Sequence, residues 1–250
     1  MLKISAVSYL NTKPFLYGIF KSGLEQEVDL QLDIPSECAR KLTSGEVDMA
    51  LLPVAAIPDL GEAHVVSDFC IGATGAVKTV CIFADRPLEE LTHIYLDYHS
   101  RTSVELTRIL LAEHWKLNPV LLPAKPGFET EIRESTGALV IGDRAIDLHH
   151  KHAFAYDLGE AWVEFSGKPF VFAAWVSRQA LDPGFEERFN KALQTGIDQI
   201  PQLVYILPTP QPGFDLKAYF TENISYPLDA DKKEGLKLFL SHLGTTVPHL

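Results

Sequence analysis

Two strong β runs, at residues 77–83 and 170–176, constrain the architecture of this chain more than any other feature. Valine, isoleucine, phenylalanine and tryptophan dominate them, as suits strands buried in a sheet. Before the first run, residues 2–7, 28–33 and 48–53 read as strands. Helices at 14–21 and 35–42 separate them, the second stopped by Gly45. Strand–helix alternation of this kind builds a parallel sheet with crossover helices. Between the two runs a second alternation begins, with strands at 94–97, 120–122 and 138–141 and a helix over 100–115. Beyond the second run only helical patterns follow, at 181–200, 216–219 and 230–242. Residues 70–75 are small and read as turn-prone. The order predicts an α/β protein with one domain inserted into another: 1–84 with 176–250 in one lobe, 85–175 in the other. The two β runs would be the hinge strands, and the interface between such lobes is a favoured place for a ligand.

Charge narrows the partner. The chain of 250 residues carries a formal net charge of −11, which argues against nucleic acid and anionic membranes. A small anion is still compatible, because helix ends and a single guanidinium bind carboxylates locally. Met1-Leu2-Lys3-Ile4 enters a strand at once, with no basic segment and apolar core of a secretory leader, and no apolar run is long enough to span a bilayer. Cys38, Cys70 and Cys81 have neither disulfide-framework nor metal-ligand spacing, so buried free thiols in a cytoplasmic protein are expected. His149, His150 and His152 lie among Arg144 and Lys151 with no convincing further ligand, so no metal site is expected.

Three polar motifs follow strands, where open α/β sheets bind their ligands. The first is Ser8-Tyr9-Leu10-Asn11-Thr12-Lys13-Pro14-Phe15. Pro14 suits the first turn of a helix, and Asn11 or Thr12 could simply cap it. The second is Ser100-Arg101-Thr102-Ser103, whose hydroxyls and guanidinium sit at a helix N-terminus and suit a carboxylate or phosphate. A capping box of Thr102 with Glu105 is the competing explanation. In the third, Gly142-Asp143, the carboxylate either aims into a site or caps the next segment. Gly72-Ala73-Thr74-Gly75 is a weaker candidate for backbone contact with a ligand. No P-loop, dinucleotide fingerprint or Gly-x-Ser-x-Gly elbow is present.

Taken with Asp157-Leu158-Gly159-Glu160-Ala161-Trp162 and Gly167-Lys168-Pro169-Phe170-Val171-Phe172-Ala173-Ala174-Trp175, these motifs resemble, in order, the chorismate dehydratases of the futalosine route to menaquinone. The resemblance runs from Ser8 to Trp175. It implies a type II periplasmic-binding-protein-like fold, two α/β lobes joined by two hinge strands, with the active site in the cleft. It also implies a cytoplasmic lyase that acts on chorismate without a cofactor. The family's implicated asparagine falls on Asn11. Its hinge-strand serine falls on Thr79, a departure that keeps the hydroxyl and adds a methyl. Ser8, Ser100, Arg101, Thr102, Ser103, Gly142 and Asp143 are then expected to bind substrate. Two rivals share the fold: the 1,4-dihydroxy-6-naphthoate synthase of the same pathway, which relies on a histidine, and a non-catalytic solute-binding protein. Nothing in the patterns specifies an oligomer.

Overall fold

A computed structural model describes residues 1–245. The first half of the chain alternates as its apolar spacing requires: β1 (Leu2–Val7), α1 (Lys13–Lys21), β2 (Val28–Asp33), α2 (Pro35–Ser44), β3 (Met49–Pro53) and β4 (His64–Ala73). Next come β5 (Val80–Ala84), β6 (His93–Leu96), α3 (Thr102–Ile109), β7 (Val120–Pro123), β8 (Thr136–Ile141), α4 (Arg144–Leu148) and β9 (Phe154–Asp157). The chain closes with α5 (Leu158–Ser166), β10 (Phe170–Ser177), α6 (Pro183–Asp198), α7 (Ile200–Ile206), α8 (Leu216–Ala218), β11 (Ser225–Pro227) and α9 (Ala230–His242).

These elements form two mixed sheets, in the orders β11-β4-β10-β3-β1-β2 and β7-β6-β8-β5-β9. In the first, β1 pairs parallel with β2 and β3, while β10 returns antiparallel between β3 and β4. In the second, β6 pairs parallel with β7 and β8, and β5 lies antiparallel between β8 and β9. The chain passes between the sheets at residues 74–79 and 158–169, ahead of the boundaries expected after residues 84 and 175. Strand β10 is buried along its whole length. Its Trp175 packs edge-on to Phe189 of α6, at 5.0 Å between ring centroids, and against Phe15 of α1.

The expectation of a turn at residues 70–75 is overturned for residues 70–73, which end strand β4 and pair with β10. Small size there serves close approach rather than reversal. A Cβ on Gly72 would stand 2.8 Å from the Phe170 carbonyl oxygen and 3.1 Å from the Lys232 side chain. The helix over 100–115 is α-helical to Ile109 and then winds as a π-turn over Leu110–His114. Strands β9 and β11 answer to no expectation; both are short pieces at sheet edges, too brief for periodicity to register.

Helix α1, which follows the Asn11 motif directly, is seated on α6 by two glycines. A Cβ on Gly18 would lie 1.9 Å from the Ala192 carbonyl oxygen, and one on Gly196 only 1.8 Å from that of Pro14. Backbone cannot yield as a side chain can, so the helices touch only because both side chains are absent. Gly196→Ala is therefore expected to lower the unfolding free energy by about 3 kcal/mol or more, the upper end of ordinary overpacking. Urea denaturation measures this; an unchanged midpoint would show that α1 does not need the close approach.

Candidate functional site

The strand ends carry the site. Val7 ends β1, Pro53 ends β3 and Ile141 ends β8, and all three line one pocket between the sheets. Asn11 and Tyr9 enter it from the loop after β1, Thr79 from the crossing before β5, and Ser100 and Ser103 from the start of α3. Gly142, then Phe172 and Ala173 of β10, and the apolar Pro35, Ile71, Val77 and Val80 complete the walls. The space free of protein atoms there, counted out into open solvent, is about 500 Å³. Among the described residues no aspartate, glutamate, histidine, lysine or arginine side chain lines it; its polar groups are hydroxyls, one amide and backbone.

Local hydrogen bonds decide how each group is presented. The Asn11 side-chain oxygen accepts from the Thr12 hydroxyl at 3.1 Å, which leaves the Asn11 NH₂ as the group free to donate into the pocket. Tyr226 donates to the Asn11 backbone carbonyl at 2.9 Å. Neither Asn11 nor Thr12 makes a side-chain cap to α1, so capping does not account for this stretch. The Thr79 hydroxyl lies 3.0 Å from that of Tyr219. At α3 the Ser100 hydroxyl accepts from the Ser103 amide at 3.0 Å and donates to the Ser103 hydroxyl at 2.9 Å.

The capping box of Thr102 with Glu105 does not form. Instead the Thr102 hydroxyl reaches across the cleft and accepts from the Ala55 amide at 3.1 Å. Asp143 does not cap α4 either; its carboxylate crosses to accept from the Leu10 amide at 2.9 and 3.2 Å. Arg101 points away from the pocket, half-exposed, and pairs with Asp59 at 2.5 Å. Ser8 stays at the end of β1, its amide donating to the Asp33 carbonyl at 2.9 Å. Of the residues singled out in the sequence, Asn11, Thr79, Ser100, Ser103 and Gly142 thus share one pocket. Thr102 and Asp143 hold the lobes together beside it, and Arg101 and Ser8 stand outside.

A family model described as menaquinone biosynthesis matches residues 2–244. The chain belongs to the menaquinone-biosynthesis family. Among curated proteins it is similar to the chorismate dehydratase of Thermus thermophilus, with 27% identity over 233 residues, 84% of this chain and 85% of that protein. Among solved structures, a protein from Archaeoglobus fulgidus superposes with a TM-score of 0.73 at 14% identity, covering 97% of both chains. A Candida albicans protein described as having the generic periplasmic-binding-protein fold gives 0.59 at 12% identity, over 96% of this chain and 90% of that one. The alkanesulfonate-binding protein of Xanthomonas axonopodis pv. citri, bound to MOPS, gives 0.59 at 14%, over 97% and 92%. At such identities these structures establish the fold alone: this member of the menaquinone-biosynthesis family is periplasmic-binding-protein-like.

Sequence patterns gave no role to Tyr9 and His99, which join Thr102 and Asp143 in closing the cleft. The Tyr9 hydroxyl meets His99 Nδ1 across the lobes at 2.5 Å, with the two rings stacked, and the His99 carbonyl accepts from the Ser36 amide at 3.0 Å. The Tyr9 ring lies on Gly142, where a Cβ would approach it to 2.6 Å. Burial, then the charge of Asp97, pushes the Tyr9 phenol well above its ordinary range, so the hydroxyl keeps its proton. Behind them Asp97 is buried and accepts from the His99 and Ile141 amides and from Arg144, whose other nitrogen holds Glu129.

Burial, and after it the positive charge of Arg144, lowers the His99 pKa from its ordinary 6.5, with Asp97 and Glu129 opposing. The folded state therefore prefers the neutral ring. That contribution is complete above about pH 6.5, the ordinary value expected of an unfolded chain, and is lost as pH falls below it. Unfolding free energy measured in urea should drop between pH 7 and pH 5, and His99→Gln should flatten that slope. An identical slope in the variant would sever the link between His99 and acid sensitivity.

Proposed function

We propose that this protein eliminates water from chorismate to give 3-[(1-carboxyvinyl)oxy]benzoate, a carbon–oxygen lyase reaction on the way to menaquinone. The observation that carries the proposal is the pocket itself, rich in hydrogen-bond donors and, among the described residues, without a side chain suited to be a strong base. Membership of the family and the similarity to a curated chorismate dehydratase support the same reading.

The substrate's own chemistry explains why so mild a pocket suffices. Chorismate loses the ring proton beside its ether oxygen and the neighbouring hydroxyl, and the ring becomes aromatic. The ring carboxylate, conjugated through the diene, acidifies that proton, so negative charge grows on the ring and its carboxylate before the hydroxyl departs. The substrate's side-chain carboxylate takes the proton, which leaves with the hydroxyl as water. No electrons enter or leave.

The protein then has to position and to stabilise charge. The start of α3, with the hydroxyls of Ser100 and Ser103, faces one carboxylate. The helix dipole contributes about 0.3–1 kcal/mol there, up to ~2 when partly buried. The Asn11 NH₂ and the Thr79 hydroxyl donate to the reacting region. Contacts from Tyr9, Thr102 and Asp143 hold the lobes closed over the substrate and keep water from the charged intermediate. The carboxylates are met by neutral donors, with Arg101 engaged elsewhere.

Incubation with chorismate, followed by mass spectrometry and ultraviolet absorbance, tests the reading; absence of the aromatic enolpyruvyl product at catalytic turnover would refute it. Asn11→Ala should lower kcat by roughly 10²–10³, the cost of losing one preorganised donor at a developing charge. Arg101→Ala, by contrast, should leave kcat and KM within about threefold, as expected when only an exposed ion pair is lost. A large rise in KM would place the guanidinium on the substrate instead.

A further inference from the structure

Tyr219 lies at the start of a π-turn, Tyr219–Asn223, that follows α8, far along the chain from any motif in the pocket. Its side chain is 1% exposed and its hydroxyl lies 3.0 Å from the Thr79 hydroxyl, itself in a residue 1% exposed. The other acceptor near Thr79 is the Val77 carbonyl, at a long 3.5 Å. Each hydroxyl has a single proton to give. Were Thr79 to donate to Tyr219, the phenol proton would sit buried without an acceptor among the described residues, at a cost of ~1–3 kcal/mol. If Tyr219 donates instead, its proton is satisfied and the Thr79 proton is released for another partner. A phenol is also the stronger donor of the two. Thr79 lines the pocket, so a substrate oxygen there could take this proton in place of the distant Val77 carbonyl.

We propose that Tyr219 is a positioning residue for the reaction: by donating to the Thr79 hydroxyl it aims that hydroxyl's own proton at the substrate oxygen on which negative charge grows. This rests on the reading of the site as a chorismate dehydratase and deepens it. No proton is transferred from Tyr219. The two hydroxyls form a short chain in which each hydrogen bond polarises the next. The methyl of Thr79 fits the same design, because a β-branched side chain has fewer rotamers and holds its hydroxyl where the phenol can reach it. Nearby, Tyr226 steadies the other donor through the Asn11 carbonyl. One C-terminal segment thus stands behind both donors assigned to the reacting region, Asn11 and Thr79.

Tyr219→Phe keeps the ring and removes only the hydroxyl. It should lower kcat for chorismate about tenfold while KM stays within about twofold. On a Thr79→Val background the same change should have no further effect on kcat, since no hydroxyl is left to aim. On a Thr79→Ser background it should cost more than on wild type, because serine's freer rotamer depends more on the phenol. Thermal unfolding of each variant separates this from a loss of fold. A Tyr219→Phe enzyme with unchanged kcat, or losses that simply multiply with those of Thr79→Val, would overturn the proposal. A readout without turnover separates it from the assigned reaction. In hydroxyl-proton NMR of the ligand-free protein, the Tyr219 proton should exchange slowly, show cross-peaks to the Thr79 methyl and vanish in Tyr219→Phe. Wild type that fails to convert chorismate but shows this proton refutes the reaction and keeps the hydrogen bond's direction. Absence of the proton refutes the positioning role whatever the substrate.

Discussion

Strand β10 is the constraint on which the rest of the molecule depends. The chain leaves the first sheet after β4, builds the second sheet, and must return to a slot that already has walls, between β3 and β4. All of β10 is buried, so each residue has to satisfy both a sheet neighbour and a packed face. Pairing on two sides answers its backbone groups. Trp175 locks it to α1 and α6, while Phe170 packs edge-on to Trp162 of α5 and Phe239 of α9. Because β10 lies beside β4, the outward and return crossings leave the first sheet side by side. Two adjacent connections permit the sheets to approach and separate about one line, and the cleft is what lies between them.

The cleft is closed by contacts that each join one lobe to the other. Tyr9 meets His99, the Leu10 amide meets Asp143, and the Ala55 amide meets Thr102. Two of these use a backbone N–H of the first lobe and a side-chain oxygen of the second. Such bonds are worth about 0.5–1.5 kcal/mol each when neutral, and more with a charged partner, so the set can hold a closed arrangement without making opening prohibitive. Asp143 bears a cost within this set: burial raises its pKa, and the Leu10 amide offsets only part of that. Gly142, at a positive φ of 68°, brings the backbone under the Tyr9 ring where any side chain would collide.

Within the pocket the division of labour follows from what is absent among its walls. With no charged side chain among the described residues of the pocket, polarity comes from donors whose own geometry is set from behind: Asn11 by Thr12 and Tyr226, Thr79 by Tyr219, Ser103 by Ser100. A neutral donor array avoids the penalty of burying a fixed ion, and it strengthens where substrate charge develops. Arg101 illustrates the other side of this arrangement. It stands beside the helix start that suits an anion, yet its charge is spent on Asp59 in solvent.

What the sequence determined by itself were the repeating features: the strand–helix alternation that became β1 to β3, helices begun by proline at Pro14 and Pro35 and ended at Gly45, and two buried β runs, which became β5 inside the second sheet and β10 inside the first rather than strands joining them. Periodicity and local backbone preference act over a few residues, so they are visible in a few residues. The polar motifs after β1, β8 and before α3 were visible for the same reason, and Asn11, Ser100, Ser103 and Gly142 do meet in one pocket. Only the tertiary structure decided which polar residues face that pocket. Arg101 and Thr102 are adjacent on one helix start, but Asp59 and Ala55, far away in sequence, draw one into solvent and the other across the cleft. His99, Tyr219 and Tyr226 could not be found locally, because each matters through a partner on a remote segment. A hydrogen bond between distant residues leaves no period in the chain; it exists only once packing has brought both ends out of water together.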